Sequence, residues 1–404
     1  MNRPGLADGP ITWIHLATLV LSIGAGAWFS CWAILFTRSM GLSAGEFAIG
    51  VTIAGLIGLV IGSPLGYLAD RVGTREVLVW LGVIQGLATL SYVLVAEFWS
   101  FFLVTCVAVT AQRLAPAIRV AVISGLTTGE ARLRSIATNR VVLHVGIAVG
   151  SGIGALVLYL DSRAAYVSLI VLYGIANMAS ALVTLRVPHV SSLADRKDKR
   201  RMLALRDRPF LVITLLNGVL ALNWGMLGTG LPLWITAHTD APLWMVGVVT
   251  AFNAVAIMLF QKKVSKGSDT IPGAARQAVY CGAALAVSCV LFAATYHGSG
   301  LLVICLLLAA AAAHVVGELL FSASGWGLSV ALTPQEAHGE YQATFATGPA
   351  AALMLAPAVL TALVVEWGVM GWFALGVLFL LASVPVVPVS RWATRTGPRK
   401  EMVV

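Results

Sequence analysis

Charged residues are scarce in this chain. They make up 11% of the 404 residues, whereas hydrophobic residues make up 59%; soluble domains carry about 25% charged residues. So few charges cannot supply the polar surface of a soluble protein of this length. Because apolar stretches recur along the whole chain, the composition indicates one integral membrane body and excludes a soluble domain with an added anchor.

Cysteine is also rare. The five cysteines all stand inside apolar runs, and none has the paired spacing of a metal site or of a disulfide framework. We therefore expect small buried side chains at Cys31, Cys106, Cys281, Cys289 and Cys305.

Twelve apolar segments are long enough to cross a bilayer, which takes about 20 helical residues. They lie near 11–37, 46–66, 76–96, 99–126, 139–160, 165–186, 210–236, 242–261, 275–296, 300–330, 342–365 and 369–390. The first is too long for a signal-peptide core and is expected to remain as a helix. The sequence thus predicts an all-α membrane protein with two six-helix bundles, at 1–186 and 210–404, the second ending in a short basic tail. A basic linker, 187–209, joins them.

Basic residues are concentrated in alternate loops. If the N-terminus is cytoplasmic, the outer loops contain only Arg38 and Arg163. The inner side has Arg3, Arg71, Arg75, Arg132, Arg134, Arg140, the linker residues, Lys262, Lys263, Lys266, Arg276 and the tail. This asymmetry predicts that both termini are cytoplasmic. It also argues against a nucleic-acid partner, which would need one basic patch. The linker could lie on the anionic inner leaflet or form a solvated tether.

A charged, glycine-containing turn separates the second and third segments. Its sequence is GYLADRVGTR, with Gly66, Asp70, Arg71, Gly73 and Arg75 at the key positions. The turn resembles the signature loop of the major facilitator superfamily (MFS), although Thr74 stands where the family usually has a basic residue. The resemblance covers essentially the whole chain. It implies two bundles that rock about a central site, with this loop as part of the conformational gate.

Ionisable side chains within a membrane span are costly and usually functional. Glu318, in the tenth segment, is the only acid that the sequence places deep in a span. His314 and Ser322 are four residues away on either side, so all three share one helix face. A carboxyl group in such surroundings can bind and release a proton near neutral pH, so Glu318 and His314 are predicted to couple protons. The alternative is a buried carboxyl held by a cross-helix hydrogen bond.

His314 and Glu318 could also present two ligands to one metal ion. No third ligand is evident nearby, so neither a metal nor any cofactor is expected.

Two arginines lie in the fourth segment. Arg113 is at the depth where the resemblance implies an arginine in the fourth helix, though the usual following Gln-Gly is absent. It could influence the protonation of Glu318, bind an anionic group of the substrate, snorkel toward the interface, or form a fixed pair with backbone carbonyls. Arg119 is closer to the inner end and is expected to snorkel or to form such a fixed pair.

Aromatic and amide side chains predict the lining of the central cavity. By the resemblance, segments 1, 4, 7 and 10 surround it, and segment 8 adds one amide. The candidates are Trp28, Trp32, Gln112, Asn217, Asn223, Trp224, Asn253, Ser322 and Trp326. A lining with few fixed charges suits a lipophilic, weakly basic substrate, although any one aromatic could be a packing residue or an interface anchor.

Gly146, Gly150 and Gly154 recur every four residues in the fifth segment. Small residues at this spacing allow two helices to approach closely. They also resemble the antiporter motif of the family, except that Ser151 stands in place of its proline. Either reading predicts a tight seam that limits leak.

The loop after the tenth segment contains acids and no Lys or Arg. We expect Glu340 there to pair with Arg71 as a cytoplasmic latch. After the eighth segment, Gly267, Asp269 and Arg276 are a faint repeat of the signature turn.

Three functional classes remain open at this point. The first is a monomeric, proton-coupled exporter of small lipophilic compounds in a bacterial cytoplasmic membrane, resembling drug/proton antiporters. The sequence contains no Gly-x-x-x-x-Gly-Lys-Ser/Thr loop, so an ion gradient is the expected energy source. The second is an importer of a small organic solute, and the third is a non-transporting scaffold. An enzyme is not expected, and sodium coupling is not excluded.

Overall fold

The computed structural model describes residues 8–189, 203–334 and 338–396; within these ranges, the side chains of residues 8, 59, 62–71, 129, 130, 133, 338 and 339 are not described. Every regular element in these ranges is a helix. Eleven described helical stretches are long and apolar enough to cross a membrane, and Ala44–Gly58 is a shorter apolar helix. The predicted all-α membrane class is confirmed.

The chain divides into two compact units. The first contains α1 (Asp8–Ile34), α2 (Ala44–Val72), α3 (Thr74–Ser91), α4 (Phe98–Leu126), α5 (Gly129–Leu160) and α6 (Arg163–Thr184). It also includes Leu243–Val255, the first half of α11 (Met245–Val264).

The second unit begins with α7 (Leu203–Arg206), α8 (Arg208–Leu220), α9 (Asn223–Gly225) and α10 (Leu231–His238). After α11 come α12 (Ile271–Ala293), α13 (Gly300–Ala331), α14 (His338–Leu360), α15 (Val369–Ser383) and α16 (Val386–Thr396). Most of the predicted linker falls outside the described residues, so the predicted domain bounds stay a prediction.

Several predicted segments contain more than one helical element, and the seventh and twelfth are divided into separate α-helices. The seventh is divided into α8, α9, a π-helical turn at Met226–Gly230 and α10. The twelfth is divided at Val384 and Pro385 into α15 and α16. The length of the apolar runs therefore predicted both spans, but it did not predict where the helices within them are interrupted.

Short polar residues begin several helices. Ser162 accepts the backbone N–H of Ala165 at the start of α6, and Thr270 accepts that of Gly273 at the start of α12. Asp207 does the same for Phe210 in α8, where Pro209 occupies the first turn. These side chains satisfy N–H groups that have no partner within the helix.

Each unit has its own apolar core. In the first, an aromatic cluster joins Trp28, Phe36 and Tyr92, and a second group of buried aliphatic residues includes Leu78 and Val122. In the second, Phe210 packs among residues of α12, α13, α14 and α16. Burial of these side chains orients the helices that carry the polar groups described below.

Candidate functional site

Glu318 and His314 form a pair inside the second unit, near the middle of α13. The His314 Nδ1 atom lies 4.0 Å from the Glu318 Oε2 atom. The His314 side chain is 1% exposed, and that of Glu318 is 13% exposed. The predicted neighbour relation on one helix face is therefore present, although this separation is longer than a hydrogen bond.

The other ring nitrogen fixes the tautomer of His314. Its Nε2 atom lies 3.0 Å from the backbone carbonyl oxygen of Asn223. A carbonyl oxygen only accepts, so Nε2 carries the hydrogen and donates. In the neutral ring, Nδ1 then has a free electron pair, and it has no hydrogen-bond partner among the described residues. That electron pair faces the carboxyl group of Glu318.

Asn223 lies where the seventh span is interrupted. The Asn223 side-chain amide donates to the carbonyl oxygen of Leu220, 2.6 Å away, and so occupies an acceptor at the end of α8. Three residues further on, Met226 begins the π-helical turn. Broken and π-helical segments at membrane depth require protein partners for their backbone, and they often mark binding sites. Here His314 supplies one such partner.

Other predicted lining residues lie on α8, α9 and α13, the elements that form or adjoin the break and the pair. Trp224 packs edge-on against Phe321, with ring centroids 5.1 Å apart. Asn217 is buried on α8, close to Gly325 of α13, where a Cβ atom would come within 3.2 Å of the Asn217 amide oxygen. Ser322 is half-buried, and Trp326 is exposed near the end of α13. These residues stay predicted lining residues.

The remaining predicted residues of the cavity lie in the first unit. Gln112, Arg113 and Asn253 are half-buried. Trp28 is 3% exposed and stacks on Tyr92 and Tyr173, so its ring belongs to the aromatic core. Trp32 is half-buried and packs edge-on against Phe47.

Arg119 is a buried polar group. It is 6% exposed, so its side chain does not snorkel, while its pairing with backbone carbonyls stays a prediction. With Gln85, Asn177 and Ser180 it lines a cavity of about 10 Å³, which is about the space of one water molecule. The signal was present in the sequence, because Arg119 shares a helix face with the buried Ala111 and Ala115.

The signature turn has a backbone that demands glycine. Gly73 has φ = 116°, a region that other residues rarely adopt. The Arg75 guanidinium donates to the carbonyl oxygen of Leu185 at the end of α6, 2.9 Å away, and so satisfies an acceptor at that helix terminus. Gly66, Asp70 and Arg71 lie in the last turns of α2, with side chains outside the described residues. Their gating role stays a prediction.

Glycines bring α1 and α5 into direct contact. A Cβ atom on Gly146 would meet Ser22, one on Gly150 would meet the carbonyl oxygen of Ile23, and one on Gly154 would lie 2.9 Å from the Cβ atom of Ser30. Such distances are too short for any larger residue without movement of a backbone. The seam has the close packing that the spacing predicts, while its part in gating stays a prediction.

Glu340 is bonded within the second unit. Its Oε1 atom accepts the backbone N–H of Ala204 at the start of α7, 2.8 Å away. The neighbouring Tyr341 hydroxyl donates to Asp207, at 3.0 Å. The Arg71 side chain falls outside the described residues, so the predicted latch remains untested.

The helical architecture, the two units and the membrane-depth polar pair define a polytopic membrane transporter. The sequence profile of the Major Facilitator Superfamily matches residues 14–357. The chain belongs to this superfamily, and it is a transporter rather than an enzyme.

Individual relatives are distant. An uncharacterized MFS-type transporter, YqjV of Bacillus subtilis (strain 168), is 21% identical over 224 residues, which are 54% of this chain. The match spans about half the length of that relative, 53%.

Solved structures share the fold. The nucleoside transporter NupG superposes with a TM-score of 0.74 over 96% of this chain and 100% of its own, at 13% identity. A bacterial homologue of the human lysosomal transporter Spinster, inward-facing and unoccupied, gives 0.75 over 98% and 100%, at 12% identity. A peptide transporter POT in complex with sulfate gives 0.75 over 98% and 97%, at 13% identity. At these identities the likeness concerns the fold alone.

Proposed function

We propose that this transporter is a proton-coupled exporter of small lipophilic compounds, and that Glu318 carries the coupling proton. The observation that carries the proposal is the arrangement of Glu318, His314 and the Asn223 carbonyl group around the break in the seventh span. Of the acids whose side chains are described, Glu318 alone lies in the middle of a long apolar helix. An ionisable side chain in the middle of a membrane span costs free energy and is usually functional.

The tautomer of His314 suggests how the proton is held. When Glu318 is protonated, its hydroxyl can donate to the free electron pair on Nδ1 after its side chain moves about 1 Å closer than the present 4.0 Å separation. When the proton leaves, the carboxylate faces a ring that can itself accept a proton. The pair therefore has a stable arrangement in both charge states, which a carrier must have in order to load and unload.

Transport follows from alternating exposure of this site. Outside, Glu318 takes a proton and the substrate leaves. Inside, the proton is released and the carboxylate favours a weakly basic, lipophilic compound beside Trp224 and Phe321. Arg113, in the first unit, stays a predicted coupling residue. The membrane is the bacterial cytoplasmic membrane, both termini are cytoplasmic, and the monomer is the working unit.

The experiment measures cellular accumulation of ethidium, tetracycline and chloramphenicol with and without an uncoupler. Cells expressing the wild-type protein should accumulate less than cells without it, and the uncoupler should remove the difference. Glu318→Gln should abolish export. Glu366→Gln, which changes an exposed glutamate at the end of the eleventh span, is the matched control and should export normally.

Other outcomes contradict specific parts of the proposal. Export by Glu318→Gln at the wild-type level would overturn the coupling assignment. Greater accumulation in wild-type cells would show import, and resistance of export to the uncoupler would exclude the proton gradient as its driving force.

A further inference from the structure

A cavity of about 520 Å³ lies between the first turns of α12 and the last helix, α16, within the second unit. It is separate from the Glu318 site, and one of its lining residues, Arg276, belongs to the faint repeat of the signature turn. Arg276 of α12 and Arg391 of α16 both line it. Two long cationic side chains from separate helices thus converge on one space.

The two arginines have no ion-pair partner among the described residues. Both arginine side chains are exposed, so neither is buried against an acidic residue that would balance its positive charge. Guanidinium groups bind phosphate oxygens through paired hydrogen bonds, and two of them around one cavity suit a phosphate diester or monoester. Ser390 and Thr394 also line the cavity, and their hydroxyls donate to the carbonyl oxygens of Val387 and Arg391 within α16, so the two guanidinium groups are the donors for a phosphate.

The rest of the wall is apolar. Ile271, Pro272, Ala275 and Val387 complete the lining. A free phosphate ion would leave these side chains in water, whereas a phosphate attached to acyl chains would cover them. The cavity therefore has one wall for a phosphate group and another for hydrocarbon.

The position of the cavity matches the headgroup level of a bilayer. α12 starts one apolar span, and α16 ends another that runs over Val369–Thr396. Along α16, Val386 and Ala393 are buried, whereas Trp392 is exposed. A helix with one packed face, exposed cations and an exposed tryptophan is typical of the membrane interface.

We propose that this cavity binds an anionic phospholipid, with the phosphate between Arg276 and Arg391 and an acyl chain against Ile271, Pro272 and Val387. The site is independent of the substrate and of the direction of transport. Juxtamembrane arginines of this kind attract anionic headgroups more strongly than zwitterionic ones.

Native mass spectrometry of the purified full-length protein tests the proposal with phosphatidylglycerol and phosphatidylcholine as probes. The wild-type protein should retain phosphatidylglycerol about tenfold more tightly than phosphatidylcholine. Both lipids carry a phosphate diester, but only phosphatidylglycerol has a net negative charge beside the two arginines, because the choline cation cancels that of phosphatidylcholine. The double variant Arg276→Gln with Arg391→Gln should lose this preference. Arg276→Lys with Arg391→Lys, which keeps the charge, should retain part of it.

Arg395→Gln is the control, since Arg395 is an exposed arginine one turn along α16 that does not line the cavity. It should leave the preference unchanged. An equal loss in Arg395→Gln, or equal binding of both lipids by the wild type, would overturn the proposal. Competition by free glycerol phosphate at the same concentration as phosphatidylglycerol would assign the site to a soluble phosphate ester and overturn the lipid assignment.

Discussion

The opening helices of the two units differ in continuity. α1 runs unbroken for 27 residues before a π-helical turn at its end, Leu35–Ser39. The corresponding span of the second unit is divided after 13 residues of α8 and resumes through α9 and a π-helical turn. The unbroken helix packs against α5 along its glycines, whereas the broken one offers a carbonyl group to His314. One unit uses its first helix for packing, and the other uses it to build a polar site.

The buried ionisable groups differ in the same way. The second unit holds a buried imidazole beside a half-buried carboxyl group, and the first unit buries Arg119 beside neutral polar groups. The two units thus differ in the ionisable groups of their interiors.

One feature is shared: the turns that follow α2 and α11 each contain a glycine with a positive φ. Gly73 has φ = 116° and Gly267 has φ = 104°. The faint sequence repeat at Gly267 is therefore matched in backbone conformation, although the residues around it differ. The two turns therefore share a glycine at the position whose dihedral angles favour glycine.

The largest expected effect concerns the glycine contacts within each unit. Gly150→Ala would push a methyl group into the Ile23 carbonyl of α1, and Gly348→Ala would push one into the Thr214 carbonyl of α8. Each should lower the free energy of unfolding by about 1–3 kcal/mol, as overpacking of a close contact does. Thermal unfolding in detergent measures the effect.

Gly152→Ala is the control for these variants. It lies on the same helix as Gly150, but nothing is within 4 Å of its Cβ position. Alanine there should be neutral or stabilising by up to about 1 kcal/mol. Equal unfolding temperatures for Gly150→Ala and Gly152→Ala would show that the α1–α5 contact is looser than described.

The next prediction concerns the proton chemistry that we propose for the second unit. His314→Asn keeps a possible donor to the Asn223 carbonyl but removes the ring nitrogen that faces Glu318. Proton-driven transport should fall about tenfold, the equivalent of one lost hydrogen bond to a charged group. His297→Asn, at an exposed histidine with φ = 50°, should transport normally, since asparagine tolerates that conformation. Equal activity of both variants would remove His314 from the coupling mechanism.

A smaller effect is expected when the glycine of either turn is replaced by alanine. Alanine at Gly267 meets no atom closer than 3.8 Å, so only the positive φ is penalised, by about 1–2 kcal/mol. Alanine at Gly73 carries the same penalty and also meets the side chains of Glu76 and His189. Unfolding measurements should rank Gly73→Ala below Gly267→Ala in stability. The reverse order would mean that the first turn is the more adaptable one.

Much of the fold follows from the sequence, because a membrane span needs only length and apolarity. The bounds of α4 and α13 differ by at most one residue from the predicted segments. The break at Ala221 and Leu222 was not foreseen, because these apolar residues continue the hydrophobic run. His314 of α13, a tertiary contact absent from any local pattern, donates to the Asn223 carbonyl oxygen there.

The candidate site was predictable in part. The four-residue spacing of His314 and Glu318 placed them on one face, and the structure puts them together. Their partner, the Asn223 carbonyl group, could not be predicted because a backbone atom leaves no mark in the sequence. The burial of Arg119 follows from the helix face that it shares with Ala111 and Ala115, and its distance from the helix end did not indicate this burial.

The central claim is that Glu318 binds the proton that the substrate displaces. The most direct test adds a dye shown to be exported to the purified protein in weak buffer and follows the pH. Wild type and Glu366→Gln should release protons as the dye binds, and Glu318→Gln should bind the dye without releasing any. Proton release by Glu318→Gln equal to that of the wild type would contradict the account.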